Sequence, residues 1–374
     1  MPDSLSLTML PAKEGDCLLL SYGAPDARRH VLIDAGRNWT YKNALANLLA
    51  EQEIKTLELL VVTHVDRDHI DGMLALMRDP ALDIKVRSIW FNTWAHLEGE
   101  SITVVDTEDD DTEAFGAKMG EELSGLIVEK GWAWNSQFGG AAVVVSDTAC
   151  GNIITLDELK LTLLSPTRAK LDELKPEWVK ECRKAGITPG AVLKEYVLNE
   201  EDDELESFGA INIDLLAAEP FSGDHSEANG SSIAFLAEYG GRRILLAGDA
   251  HEDVLVPQLQ ALGATPTTPL AIDAFKIPHH GSKYNVSKDL LQLIDCKHYL
   301  ISTNGNYFKH PDDVAIARLI KFGGDNPTLH FNYDTQYNRH WRNAGLQAAH
   351  GYRVEYPEAG RDGFKVVEFG AIKS

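Results

Sequence analysis

Residues 63–72 decide the fold of this chain, and their sequence is Thr63-His64-Val65-Asp66-Arg67-Asp68-His69-Ile70-Asp71-Gly72. This segment follows an apolar run at 57–62 and precedes a predicted helix at 70–77. Within residues 64–69 it holds two histidines and two aspartates, whose nitrogens and oxygens are common ligands of zinc, manganese and iron. The pattern therefore predicts a buried strand that delivers a set of metal ligands to one edge of a sheet.

Two later segments repeat this arrangement of an apolar run followed by ligand-type residues. The first is Leu245-Leu246-Ala247-Gly248-Asp249. The second is Lys276-Ile277-Pro278-His279-His280-Gly281-Ser282. Strands that end in such side chains bring them together at a shared sheet edge. The three segments therefore indicate one metal site rather than three unrelated polar turns.

Taken together, the segments resemble the metallo-β-lactamase fold superfamily, whose first signature reads His-x-His-x-Asp-His. This chain has His64-x-Asp66-x-Asp68-His69, so Asp66 stands where the family has its second histidine. With Gly248-Asp249 and His279-His280-Gly281-Ser282, that replacement is similar to the metallo-β-lactamase domain of competence DNA-uptake (ComEC-type) proteins. The resemblance covers most of residues 5–335. It implies an α/β fold, the αββα sandwich, in which two mixed β-sheets pack face to face with helices outside.

The composition predicts an ordinary soluble protein. The chain has 374 residues, 44% of them hydrophobic and 25% charged, which suffices for a large core. No apolar run reaches the roughly 18–20 residues of a membrane span, and the first residues lack the basic start of a signal peptide. We therefore expect a cytoplasmic protein without a membrane partner. The cysteines have no paired spacing, which favours free thiols over disulfides or a cysteine metal site.

The formal net charge of −22 restricts the substrates that the sequence favours. Proteins that grip long nucleic acids through their phosphates show basic patches, and this sequence shows none. Binding of bulk duplex DNA is therefore not expected, whereas short, single-stranded or small nucleotides remain compatible. Two acidic runs, 106–113 and 200–206, are interpreted as solvated loops, with a dedicated divalent-ion loop as the alternative.

The order of predicted elements favours a single domain over residues 1–374. Short strands at 5–10, 17–22 and 30–33 predict an antiparallel meander, and 210–216 also reads as a strand. Residues 99–210 are the least regular part of the chain. We interpret them as a family-specific insertion that walls or covers the site and sets substrate choice. The alternative is a decorated surface without a catalytic part.

The resemblance implies a dinuclear metal site, and its ligands can be assigned to this sequence residue by residue. The predicted ligands are His64, Asp66, Asp68, His69, Asp249 and His280. His64 and Asp66 are assigned to one ion, Asp68 and His69 to the other, and Asp249 bridges both. His280 is favoured over its neighbour His279 as a ligand, and the reverse order stays open. The added oxygen ligand favours manganese relative to an all-histidine site, so the cofactors are two divalent ions, zinc or manganese.

Further residues are predicted to contact the substrate or to complete the site. A family ligand that precedes the bridging aspartate has two candidates here, His225 and Asn229. The predicted catalytic groups are Asp68, which orients the attacking water, and His279 and His310, which face the substrate and its leaving group. Asn304 and Lys283 are predicted to contact a phosphate beside the metals, and a helix start after His310 is a natural anion site.

The predicted activity is that of a metal-dependent hydrolase. Two divalent ions about 3.5–4 Å apart activate a water molecule near neutral pH and stabilise an anionic substrate oxygen. A phosphodiesterase or nuclease is favoured. One alternative is an ester, thioester or lactone hydrolase on the same fold, which a dry aromatic pocket of Trp94, Trp132 or Trp134 would support. Another is a regulatory subunit that works with a protein partner.

Overall fold

The structure is a computed structural model that describes residues 3–98, 105–106, 116–146, 152–192 and 211–370. Its strands, in chain order, are β1 (Ser4–Met9), β2 (Leu18–Gly23), β3 (Arg29–Ile33), β4 (Thr56–Leu57), β5 (Leu59–Val61), β6 (Lys85–Val86), β7 (Ile89–Trp90), β8 (Val105–Asp106), β9 (Ile153–Leu156), β10 (Leu159–Ser165), β11 (Ala191–Val192), β12 (Ala234–Tyr239), β13 (Arg242–Leu246), β14 (Leu270–Lys276), β15 (Ile294–Ile301), β16 (Thr328–Phe331), β17 (Arg353–Glu355) and β18 (Lys365–Gly370).

The α-helices of the described ranges are α1 (Asn38–Thr40), α2 (Ala46–Glu51), α3 (Arg67–Arg78), α4 (Trp94–Glu98), α5 (Gly116–Lys130), α6 (Arg168–Lys184), α7 (Ile213–Ala217), α8 (Glu227–Gly230), α9 (Glu252–Ala261), α10 (Lys288–Gln292), α11 (Asp313–Phe322) and α12 (Ala344–His350). A π-helical turn at Tyr41–Leu45 joins α1 to α2. Among these described helices, none combines the length and the hydropathy needed to span a bilayer.

Two large mixed sheets form the centre of the molecule. The first has the strand order β18-β1-β2-β3-β5-β7, and the second has the order β17-β16-β15-β14-β13-β12-β10-β9. In the first sheet, β3, β5 and β7 run parallel while β18, β1, β2 and β3 alternate in direction. In the second, β13 to β17 run parallel and β9, β10, β12 and β13 are antiparallel.

Apolar side chains from the inner faces of both sheets form a shared core. In β1, Leu5 and Leu7 alternate with serines and point inward, as the two-residue period of a strand dictates. They belong to the same buried cluster as Ile244 and Leu246 of β13 in the opposite sheet. Removal of this surface from water is the main force that holds the sheets face to face.

Helices cover the outer face of each sheet. On the first sheet, Met73 and Leu76 of α3 pack with Leu60 of β5. On the second, α9, α10 and α11 supply the outer cluster, which includes Phe275 of β14 and Leu319 of α11. The order is therefore helix, sheet, sheet, helix, and the predicted αββα sandwich is confirmed.

The strand predicted at 210–216 is wrong, because residues 213–217 form helix α7. The Asn212 side chain accepts a hydrogen bond from the Leu215 amide and so caps the start of a helix. Ile213 and Ala217, four residues apart, are buried while Leu215 is 70% exposed, which is the pattern of a one-sided helix.

Part of the predicted insertion belongs to the central sandwich. β10 pairs with β12 and with β9, so residues 153–165 are strands of the second sheet. Helix α5 packs on α3, the helix that follows the first motif, and on α6. The acidic run 200–206 and all but the first residue of the run 106–113 lie outside the described residues.

The carboxyl ends of parallel strands from both sheets meet at one edge. β3 and β5 end there in the first sheet, and β13, β14 and β15 end there in the second. A backbone hydrogen bond from the Ile233 amide to the Thr63 carbonyl, 3.0 Å long, joins the two sheets at this edge. The three sequence motifs consequently face one another.

Candidate metal centre

The first motif places its ligands on two rigid elements. The strand β5 ends at Val61, and His64 follows after a short extended segment. Helix α3 begins at Arg67, three residues earlier than the sequence predicts. Asp68 and His69 therefore lie in its first turn rather than in a loop, and both side chains are buried.

The Asp249 carboxylate lies among four histidine side chains of the centre. Its Oδ2 atom lies 3.8 Å from Nε2 of His64 and 3.5 Å from Nε2 of His69. The same oxygen lies 3.8 Å from Nε2 of His279 and 3.6 Å from Nε2 of His280. Its other oxygen, Oδ1, is buried without a hydrogen-bond partner among the described atoms. A buried carboxylate surrounded by four imidazoles is suited to bridging metal ions.

Three overlapping groups of ligand atoms could each hold an ion. They are His64 with His69 and Asp249; Asp68 with His69 and His280; and Asp16 with Asp249 and His280, each with its ligand atoms within 4.8 Å of one another. Nε2 of His64 is also buried without a hydrogen-bond partner among the described residues. Buried polar atoms of this kind are costly unless a further group satisfies them. The donor set therefore fits divalent ions.

The histidines are held by hydrogen bonds on their far sides. His69 donates from Nδ1 to Oδ2 of Asp34 over 2.8 Å. Asp34 also accepts from the amide and hydroxyl of Thr63 at 2.8 and 2.7 Å. His280 donates from Nδ1 to the Ser302 carbonyl over 2.9 Å. With these protons placed on Nδ1, the Nε2 lone pairs face the centre, as a metal-ligating histidine requires.

His279 and His280 have an unusual backbone. Their φ angles are 45° and 54°, in the left-handed region that non-glycine residues seldom occupy. This geometry turns both consecutive imidazoles toward Asp249. The His279 side chain keeps 19% of its surface exposed, and its Nδ1 atom lies 3.2 Å from Asp224 Oδ2 and 3.0 Å from Asn285 Oδ1. His280 is the more enclosed of the two, with 1% of its side chain exposed.

The imidazoles around Asp249 differ in their pKa values. Burial alone would lower the pKa of His69 and of His279, but neighbouring carboxylates outweigh it, raising the pKa of His69 well above its usual value and that of His279 to about 9. Burial lowers the pKa of His280 to about 3, so this imidazole is uncharged at neutral pH. Burial alone would raise the pKa of Asp249, but His280, His69 and His279 outweigh it and hold that pKa well below its usual value. An ionised carboxylate beside a neutral imidazole is the protonation state that binds a cation.

Asp16 is a residue of the centre that the sequence motifs do not contain. It lies between β1 and β2, is 1% exposed, and forms an ion pair with Lys276, whose Nζ is 2.7 Å from Asp16 Oδ2. Its Oδ1 lies 3.8 Å from Nδ1 of His280. The available signal was Lys276 itself, because a lysine that follows the apolar pair Ala274-Phe275 at the end of a strand needs a buried partner.

Of the remaining predicted residues, Asp66 and Asn229 lie nearest to the cluster. Asp66 Oδ2 is 3.6 Å from Nε2 of His64. Asn229 is buried, and its side-chain nitrogen is 3.3 Å from Nδ1 of His279 and 2.7 Å from Asp224. His225 is instead exposed and lines a cavity of about 320 Å³ beside Asp224 and His251.

The predicted substrate contacts lie on the segments after β14 and β15. The His310 ring is 5.2 Å from that of His279, and its Nδ1 is 3.6 Å from Asp312 Oδ2. Lys283 donates its amide to Asp312, and its ammonium lies over the ring of Tyr284. Asn304 uses its side-chain oxygen within its own turn, where it accepts from the Asn306 amide.

The three tryptophans considered for an aromatic pocket pack instead against the apolar cluster between the first sheet and its covering helices. Trp94, Trp132 and Trp134 are partly buried against that cluster. Trp134 stacks on Phe91 and donates its indole N–H to the Phe91 carbonyl. These contacts indicate that the three side chains contribute to packing and do not line a pocket beside the metal centre.

Comparison with known proteins supports the resemblance stated from the motifs. No model of a known protein family matches the chain. ComE operon protein 3 of Bacillus subtilis (strain 168) is 20% identical over 348 residues, which cover 87% of this chain. These residues amount to 32% of that protein, so the chain spans about a third of its curated relative's length.

A solved structure of the metallo-β-lactamase fold protein YhfI from Bacillus subtilis aligns with 98% of this chain and with 100% of its own. The identity is 8% and the TM-score is 0.38. The four layers and the clustered ligands, rather than this low score, carry the structural argument. The chain is thus similar to a ComEC-type protein in sequence and resembles metallo-β-lactamase fold proteins in architecture.

Proposed function

We propose that this protein is a metal-dependent hydrolase that acts on phosphodiesters of short, single-stranded or small nucleotide substrates. The observation that carries the proposal is the position of Asp249, whose Oδ2 lies within 3.8 Å of four histidine Nε2 atoms. His64, Asp66, Asp68, His69, Asp249 and His280 would hold two ions. When bound, zinc or manganese ions supply Lewis acidity toward water and an anionic substrate oxygen.

The side chains of this site have distinct roles in the proposal. Asp68 lies in the first turn of α3, with its Oδ2 3.7 Å from Nε2 of His280, so it can accept a hydrogen bond from the attacking water. His279 and His310 lie on the more open side and would donate to the phosphate or to the leaving oxygen. Asp224 and Asn285 hold the His279 ring in place through Nδ1.

A phosphodiester is favoured over a carboxylic ester by two features. His310 lies beside Asp312, which precedes helix α11, and the Lys283 amide donates to the same carboxylate, so hydrogen-bonding groups of the site lie at a helix start. The tryptophans that could have lined a dry acyl pocket are instead partly buried against the apolar cluster outside the first sheet. The net charge of −22 disfavours long duplex substrates.

The proposal is tested by hydrolysis of bis(p-nitrophenyl) phosphate and of p-nitrophenyl butyrate. Metal-stripped protein is refilled with manganese or zinc and compared with Asp249→Asn and with Asp83→Asn, an exposed control. We expect metal-dependent cleavage of the phosphodiester and a loss of at least about 100-fold in Asp249→Asn only. Metal-dependent cleavage of the butyrate ester alone would reject the phosphodiesterase in favour of an esterase.

A further inference from the structure

A row of aromatic rings leads from the metal centre to the surface. His279 Nε2 is 3.8 Å from Asp249, and the His279 ring lies 5.2 Å from that of His310. The His310 ring stacks on Phe308 with a centroid distance of 6.0 Å and an angle of 22°. Tyr307 meets Phe308 edge to face at 4.7 Å. We call these four residues the aromatic row.

Exposure increases outward from His310 along the aromatic row. His310 is 8% exposed, Phe308 is 45% exposed and Tyr307 is 66% exposed. Large aromatic side chains normally bury most of their surface, so two adjacent exposed rings beside a buried catalytic cluster need an explanation. The outer end of the row offers solvent-facing aromatic surface directly beside the centre.

The segment that carries Phe308 and Tyr307 is held in place. The Asn304 amide donates to the Lys13 carbonyl at 2.7 Å, and the Lys309 amide donates to the Gly305 carbonyl at 2.9 Å, which closes a turn around 306–308. Gly305 has φ +75°, and a Cβ there would come within 2.3 Å of Tyr337. The rings are therefore presented by a fixed turn, which reduces the entropy lost on binding.

We propose that Phe308 and Tyr307 form a stacking platform for a nucleobase, so that the substrate of this site is a nucleotide or single-stranded nucleic acid. This inference rests on the proposed phosphodiesterase function. The Phe308 and His279 rings are 6.4 Å apart, a separation that the sugar of a nucleotide can span. A base on Phe308 would thus leave its phosphate beside His279, His310 and the metal ligands.

The surroundings of the platform favour a base over an acyl chain. Phe308 and Tyr307 lie on an open surface with Asn306 and Lys309, which are also exposed. An acyl chain gains most from an enclosed apolar pocket, whereas a flat base stacks on one exposed ring and tolerates polar neighbours. Stacking of this kind does not depend on base identity, so the platform would accept any nucleobase.

The test compares two ligands that differ only in the base. Binding of thymidine 5′-monophosphate and of 2-deoxyribose 5-phosphate to the metal-loaded protein is measured by calorimetry. We expect the nucleotide to bind about 10-fold more tightly, as one stacked base provides. Phe308→Ala should reduce this ratio to near one, Phe308→Trp should retain it, and Leu215→Ala on the outer helix α7 should not change it.

Several results would overturn the platform. One is equal affinity of the wild-type protein for both ligands, including no binding of either. Another is an equal loss for both ligands in Phe308→Ala, which would mean that the ring only supports His310. A third is binding of octanoate that is lost in Phe308→Ala, together with no binding of the nucleotide. That result would mean that the rings contact an acyl group.

Hydrolysis of bis(p-nitrophenyl) phosphate by the same samples separates this inference from the proposed function. Metal-dependent hydrolysis by the wild-type protein together with equal affinity for the two ligands would reject the platform and leave the phosphodiesterase standing. Absence of hydrolysis together with equal affinity would reject both.

Discussion

Asp34 determines which nitrogen of His69 faces the metal centre. Its carboxylate accepts a hydrogen bond from Nδ1–H of His69 and two more from Thr63, the residue before His64. One side chain therefore orients ligands from both ends of the first motif. Such outer partners raise the basicity of the ligand and restrict its rotation.

Asp34→Asn should weaken metal binding without abolishing it. The amide can still hydrogen-bond to His69 but carries no negative charge, so we expect affinity for zinc to fall roughly 10- to 100-fold. The measurement is competition with a chromophoric chelator, with Asp83→Asn as the exposed control. Unchanged affinity in Asp34→Asn would show that Asp34 acts only as a turn residue.

At the residue scale, the ligand-type residues that the sequence pattern selects are those that stand shortly after apolar runs. His64, His69, Asp249 and His280 all follow strands closely, and the structure brings them together. Asp16, Asp224 and Asn285 could not be found this way, because they lie in loops whose positions depend on tertiary packing. His225 is the converse case, since this candidate histidine lies in an exposed loop and not among the buried ligand-type residues.

At the scale of elements, strand ends were easier to predict than the helices between motifs. The helix predicted at 70–77 lacks the first turn of α3, because the sequence pattern places Asp68 and His69 in the segment between the strand and the helix. The strand predicted at 210–216 failed because Ile, Leu and Ala suit both strand and helix, and the Asn212 cap decides for the helix.

Helices α5 and α6 share a buried acid that should make stability depend on pH. Burial raises the pKa of Glu121 to about 7, although the Gly190 amide and the Trp178 indole, which donate to it, lower that pKa. The folded protein therefore keeps this proton at pH values where the unfolded chain has lost it. Glu121 consequently reduces stability as pH rises from about 4.5 through about 7.

Glu121→Gln should remove this pH-dependent cost, because a neutral amide oxygen can accept the same two hydrogen bonds. Urea unfolding at pH 5 and at pH 8 gives the free energy of unfolding of the variant and of the wild type. We expect the variant's advantage over the wild type to be roughly 1–3 kcal/mol larger at pH 8 than at pH 5. Glu129→Gln, on the same helix, serves as the control. A Glu121→Gln difference that stays constant between the two pH values would contradict the raised pKa.

At the scale of the whole molecule, a buried ion pair connects the two sheets beside the site. Asp16 belongs to the β1–β2 connection of the first sheet, and Lys276 ends β14 of the second. Both side chains are almost fully buried. Loss of one partner would leave the other charge in the interior without compensation, which is far more costly than replacing the whole pair with apolar groups.

Asp16→Asn should therefore destabilise the metal-free protein by about 3–5 kcal/mol. The double variant Asp16→Asn with Lys276→Met should recover much of that loss, because no buried charge then remains. Urea unfolding of metal-stripped samples measures both effects separately from metal binding. Two results would show that the pair does not join the sheets. One is equal stability of Asp16→Asn and the wild type, and the other is a double variant that is less stable than Asp16→Asn.

The architecture of the whole molecule was more predictable than its contacts. The three motifs carry a resemblance that implies two sheets with helices outside, and the structure has this arrangement. The assignment of strands 153–165 to the second sheet could not be made locally, because only pairing with β12 places them there. The single domain, the role of the insertion and the cytoplasmic location stay predictions.

Metal stoichiometry tests the central claim most directly. Metal-stripped wild-type protein and Asp249→Asn are titrated with zinc and with manganese, and bound metal is counted by mass spectrometry after desalting, while circular dichroism confirms folding. Convergence of the buried ligand atoms on Asp249 predicts close to two ions per wild-type chain and a clear deficit in the variant. A folded wild-type protein that retains neither metal, or a variant that binds as much as the wild type, would contradict a metal centre at this sheet edge.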